Sequence, residues 1–207
     1  QDLPNVVYAG AQDQGFQRST TAGDGVVDFQ QIISGDYAHL VSGDGGVSLW
    51  CVYPGFAMYY PNAAFSTQAR FWDFTVSGQF WLPPLMEDPD RPNVCWLGGG
   101  STSTGAHLIR LTAGIPDIAM AEFPHDFGSG DGVRIASLAY SPVETQRRYV
   151  MTDDGNFHTS TDAGASWSVS PAFDAPGAHY FHGASIVASP VAAETVWIGG
   201  SGYSNPP

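Results

Sequence analysis

A proline followed seven residues later by an aromatic marks three regularly spaced segments of this 207-residue chain, at Pro89 and Trp96, Pro142 and Tyr149, and Pro190 and Trp197. The prolines stand 53 and then 48 residues apart. A fixed interval inside a repeat of that size constrains the fold more than any other feature, because such periods mark units too small to bury their own apolar face alone. The last two copies align without a gap, Ser137–Pro142 falling on Ser185–Pro190. Short Val, Ile, Tyr, Trp and Phe runs alternate with clusters of Gly, Asp, Ser and Pro, and no stretch sustains a helical period. Each unit therefore reads as strand, proline-marked turn, strand. The N-terminal stretch Asp2–Gly10 parallels Asp90–Gly98. Tyr8, Asp13, Phe16, Ser19 and Gly23 fall in turn on Tyr149, Asp154, Phe157, Ser160 and Gly164. A degenerate copy fits at Tyr53–Tyr60.

All-strand repeats of about 40 to 50 residues have the size of four-stranded propeller blades. The expectation is an all-β chain, a β-propeller of antiparallel blades in one domain over residues 1–207, with blade signals near 1–30, 40–75, 80–115, 133–172 and 181–207. That is about four blades' worth of sequence, and propellers close with about four to eight. A four-bladed ring completed by pairing its two part-blades fits. Part of a larger propeller is the preferred expectation.

One unit carries a sharper signal. Ser160-Thr161-Asp162-Ala163-Gly164-Ala165-Ser166-Trp167 satisfies S-x-D-x-G-x-[ST]-W at every defined position. It resembles the Asp box of BNR-repeat propellers, a group that includes sialidases, sortilin-type receptors and xyloglucan hydrolases. Ser and Asp side chains can hold the backbone of a tight turn, Gly supplies the unusual backbone angle, and Trp covers the neighbouring strand. The resemblance implies a structural Asp162 on the blade periphery, between third and fourth strands, and a largely buried Trp167. The N-terminal copy is eroded: Ser19 and Gly23 remain, but Thr21 replaces the Asp and no Trp follows.

Charge narrows the partners. The chain has 20 acidic residues against seven arginines, and a net charge of −13. Nucleic acid and anionic membranes need a basic face, so both are excluded. No run approaches the roughly 20 apolar residues of a membrane span. Cys51 and Cys95 are either a disulfide of an exported protein or two buried thiols.

The register also nominates a site. Trp81, Arg134 and His182 each lie eight residues before a blade proline, so propeller symmetry places them around one axis. His179, Asp131, Asp44, Asp36 and His39 lie near them in the repeat. An aromatic, a cation and an imidazole on one ring suit a sugar acid or a carboxylate-bearing peptide. The competing reading makes Gly-Asp-Gly at 23–25, 43–45 and 130–132 turn chemistry and Trp81 core. Those turns offer a weak Ca²⁺ alternative, without EF-hand spacing, and His179 and His182 lack an HExxH partner, so no metal or cofactor is expected. The sialidase-type FRIP motif is absent; Val133-Arg134-Ile135-Ala136 is the nearest string. The sequence thus leads to a secreted, extracellular or periplasmic, non-catalytic propeller that binds a protein or glycan, including other chains of a larger assembly. The alternative is part of a sialidase-like or xyloglucanase-like glycoside hydrolase.

Overall fold

Strand-forming runs between glycine and proline turns give strands throughout. The structure, a computed structural model, describes residues 3–23, 25–36, 38–128, 132–170 and 180–203, with the backbone alone at 180–184 and 201–203. Among these residues every regular element is a strand. The first sheet holds β1 (Val7–Ala11), β2 (Gly15–Ser19) and β3 (Gln30–Ile33). The second holds β4 (His39–Val41), β5 (Leu49–Tyr53), β6 (Phe56–Tyr60) and β7 (Arg70–Asp73). The third holds β8 (Leu85–Glu87), β9 (Val94–Gly100), β10 (His107–Ala113) and β11 (Ile118–Glu122). The fourth holds β12 (Ile135–Tyr140), β13 (Arg148–Thr152), β14 (Phe157–Ser160) and β15 (Ser168–Ser170). The fifth holds β16 (Tyr180–Ala188) and β17 (Val196–Tyr203). Every pairing is antiparallel between sequence neighbours.

The sheets stand side by side in an arc. Their first strands touch in succession, β4 against β8, β8 against β12 and β12 against β16. Each seam between sheets holds one apolar cluster. Strand period two explains how one strand serves two seams. In β5, Leu49, Cys51 and Tyr53 face the first sheet, while Trp50 and Val52 face the third. In β9, Cys95 and Leu97 face the second sheet and Trp96 the fourth. In β13, Val150 faces the third sheet, while Tyr149 and Met151 face the fifth. All residues of these three strands are buried, which is why their centres read as continuous apolar runs rather than alternating ones, with β13 burying Arg148 and Thr152 at its ends. Cys51 and Cys95 are free buried thiols in separate clusters, which resolves the cysteine alternatives. Burial raises both thiol pKa values.

The repeat is visible in geometry. A β-bulge interrupts β12 between Ile135 and Ser137, and the aligned bulge interrupts β16 between Gly183 and Ser185. Trp96 and Tyr149, the aromatics of the two earlier units, are 3% exposed under the following sheet. Trp197 is 57% exposed, and no further sheet follows it among the described residues.

A polar side chain directly follows each inner strand and holds its turn. Ser141 Oγ accepts the N–H groups of Val143 and Glu144, and Ser189 Oγ those of Val191 and Ala192. Asp88 accepts from Asp90 N–H, and Ser42 Oγ from Gly46 N–H. This corrects the second unit. Cys51, opposite Leu40, occupies the place that Trp96 fills opposite Met86. Tyr53–Tyr60 is instead the β5–β6 hairpin. The marker was lost because Ser42–Ser48 replaces the proline turn.

Candidate functional site

Residues of the inner strands border an open recess of 540 Å³. Its walls come from four successive sheets: His39–Val41, the segment 80–85, Ala136–Leu138, and Ser185 with Ile186. Pro83 and Pro84 keep the segment before β8 extended. The Pro84 carbonyl accepts the Gly98 N–H at 2.8 Å, and the His39 Nδ1 lies 3.0 Å from the Pro83 carbonyl. The segment so fixed carries Trp81, 60% exposed, into the recess. Ser137 and Ser185, equivalent across one repeat, add hydroxyl-bearing positions on β12 and β16.

Arg134 lies on the other side of Phe80. Its guanidinium carbon sits 4.2 Å from the centre of the Phe80 ring. Its Nε is 3.3 Å from Asp153 Oδ2, and its backbone N–H donates to Asp153 Oδ1 at 2.9 Å. Arg134 borders a second recess of 530 Å³ with Gly78, Gln79, Thr104 and Gly105. Trp81 and Arg134 are thus joined through Phe80, with the cation already paired. His182 lies on β16 opposite Ser201, in aligned register with Arg134, and its side chain lies outside the described residues. Asp131 and His179 also lie outside them.

Asp44 is not part of this group. It follows β4 and is not among the residues that line the recess. Its carboxylate accepts the Ser42 hydroxyl at 3.0 Å, the Ser48 N–H at 2.9 Å and the Ser48 hydroxyl at 2.8 Å. Asp162 does the same work. Ser160 donates to it at 2.7 Å, and Ser166 donates both its N–H, at 2.9 Å, and its hydroxyl. Gly46 and Gly164 donate to Ser42 and Ser160, each at 2.8 Å. These bonds, from Ser166 first and then Ser160, pull the Asp162 pKa down to about 2. The second turn was legible as S-x-D-x-G-x-S at Ser42–Ser48. It was missed because Leu49 stands where the motif has Trp, with Trp50 one place later. The turns differ in place, 42–48 joining first and second strands and 160–166 third and fourth. In an antiparallel meander both connections lie at one end of the sheet.

Trp167 is partly buried, packed against the cluster between the third and fourth sheets. Its Nε1–H donates to the Gly164 carbonyl at 3.1 Å, and its ring lies 4.9 Å from Phe127 and 6.0 Å from His125. Phe80 is the site residue that repeat arithmetic did not find. Only its position beside Trp81 signalled it. Among the described residues, no three His, Cys, Asp or Glu side chains come together where a cation would sit.

No family model matches the sequence, and no curated protein does. Solved structures do. A chain of a mitotic checkpoint complex superposes with a TM-score of 0.63 at 12% identity, over 94% of this chain and 56% of its own length. An ancestral GH74 enzyme superposes with a TM-score of 0.54 at 14% identity, over 97% of this chain and 28% of its own. The chain therefore spans about half of the first and little more than a quarter of the second. Both are β-propeller folds, and the arc of antiparallel sheets has that architecture.

Proposed function

We propose that this chain is a non-catalytic binding module of the Asp-box propeller type, exported from the cell, that holds a protein or glycan partner in the recess of the inner strands. One observation carries the reading: four successive sheets contribute to a single 540 Å³ recess, with the exposed Trp81 in it. An apolar aromatic face beside His39, Ser137 and Ser185 suits a ligand with an apolar side and hydrogen-bonding groups, which sugar rings and peptides both offer. The Asp-box resemblance of Ser160–Trp167 is what favours export. A glycoside hydrolase needs two carboxyl groups about 5–9.5 Å apart across the cleft. The described lining of this recess holds no Asp or Glu, and Glu87 is the one acid lining the adjoining 310 Å³ recess between β8, β12 and β16. Binding without hydrolysis is the reading this lining favours.

Glycan and peptide libraries screened against the wild type and Trp81→Ala test it. Trp81→Ala should retain its stability within about 0.5 kcal/mol, as an exposed position does. It should lose roughly tenfold or more of its affinity for the selected ligand, the loss of a central aromatic contact. A ligand bound equally well by Trp81→Ala removes the recess from the function. Cleavage of a bound glycan would restore the hydrolase reading.

A further inference from the structure

The seam between the third and fourth sheets contains two imidazoles in an otherwise aromatic and aliphatic cluster. His158 lies on β14, 7% exposed, between Val150 of β13 and Val169 of β15. His125 comes from the segment after β11, which the Phe123 and Phe127 N–H groups tie to Leu108 and Ala106. The two rings are 6.0 Å apart, Phe127 lies 4.6 Å from His125 and 5.0 Å from His158, and Trp167 stacks over His125. Among the described residues, both ring nitrogens of His158 and the Nε2 of His125 are buried without a hydrogen-bond partner. A neutral imidazole tolerates that site poorly, and an imidazolium tolerates it far worse.

We propose that this seam is an acid-released latch, in which charging His158 and His125 drives Trp167 out from between the sheets and frees the β14–β15 edge. The charged neighbours do not offset the cost. Asp126 faces His125, but its carboxylate is held by the Ala106 and Gly128 N–H groups, each at 2.9 Å. Asp154 faces His158 and is bonded to Thr152 and Asn156. His107, on β10, adds to the field at His125. Burial is the largest influence on both imidazoles and holds both pKa values below the ordinary histidine value. The open form therefore binds more protons than the closed one. The closed seam keeps its full stability above the unfolded histidine pKa of about 6.5 and loses it as pH falls below. Each imidazole that must charge multiplies the opening constant by up to about tenfold per pH unit in that window.

Amide hydrogen exchange on the whole chain, corrected for intrinsic rate between pH 7.5 and 5, reads the opening directly. Protection of β14 and β15 should fall with up to that slope below about pH 6.5, while β5 and β6 hold theirs. A His125→Phe, His158→Phe variant keeps aromatic volume without the protons and should retain protection at pH 5. Wild-type protection that ignores pH, or a double variant that loses protection as the wild type does, overturns the proposal. Proton NMR of the imidazoles decides independently of the variant. Signals that titrate near 6.5 while β14 stays protected also overturn it, and signals that titrate only as protection is lost uphold it.

Discussion

At the scale of single residues, chemistry near the turns decides more than composition does. Asp162 is an exposed carboxylate whose pKa lies near 2 because two serines donate to it. Its contribution is present above the unfolded aspartate value of about 3.9 and is lost as pH falls below that toward 2. A carboxyl-carbon NMR titration should find Asp162 still ionised at pH 3. Asp44→Ala removes three acceptor contacts of one turn and should cost about 1 kcal/mol in chemical denaturation, by analogy with the loss of a capping side chain. It should leave ligand affinity unchanged, since Asp44 is not among the residues lining the recess. Trp167→Ala should cost about 2–3 kcal/mol, less than for a fully buried tryptophan such as Trp50, because Trp167 is only partly buried. The sequence motif identified the bonding of Trp167's turn. It did not disclose how far the third sheet reaches over the indole, because Phe127 and His125 come from outside the repeat register.

At the scale of elements, the proline-to-aromatic interval marked the junction of first and second strands in three units, and the strand after it in each. It failed in the second unit, where Ser42–Ser48 makes the same connection by side-chain bonding rather than by proline. What the units share is the polar residue after the inner strand: Ser42, Asp88, Ser141 and Ser189. Ser141→Ala should cost about 1 kcal/mol, and Ser141→Asp should cost less, since Asp88 fills the equivalent place. Comparing the two in urea tests whether the position asks for an acceptor or for serine. Gly98 has a separate constraint. A Cβ there would stand 2.6 Å from Leu138 Cδ2 and 2.7 Å from Pro84 Cγ. Gly98→Ala should therefore force the third and fourth sheets apart and cost about 1–3 kcal/mol, as overpacked cores do.

At the scale of the whole molecule, acid should act in two separate windows. Burial alone would raise Asp88, Glu122 and Asp126, but hydrogen bonds prevail and hold all three below the ordinary carboxylate range. Arg91 and Trp96 donate to Asp88, Thr102 to Glu122, and Ala106 and Gly128 to Asp126. Their stabilisation persists above about pH 4 and is lost below it, whereas the imidazole seam begins to fail near 6.5. Calorimetry from pH 7.5 to 3 should show two separated falls in melting temperature, and the histidine-to-phenylalanine pair should erase only the upper one.

The arc also explains why so much depends on small polar turns. A slip of one residue in an ordinary half-buried strand puts its apolar side chains into water, so solvent itself rejects the error. In β5, β9 and β13 both faces are interior, and a slip would only exchange the contents of two seams. Water cannot proofread these strands. Fidelity of alignment passes to the serine and aspartate turns and to the paired bulges, which act as the ratchet teeth of the assembly. A chain with every apolar residue intact and its turn oxygens removed should still collapse, into a population of sheets that are well buried and wrongly threaded.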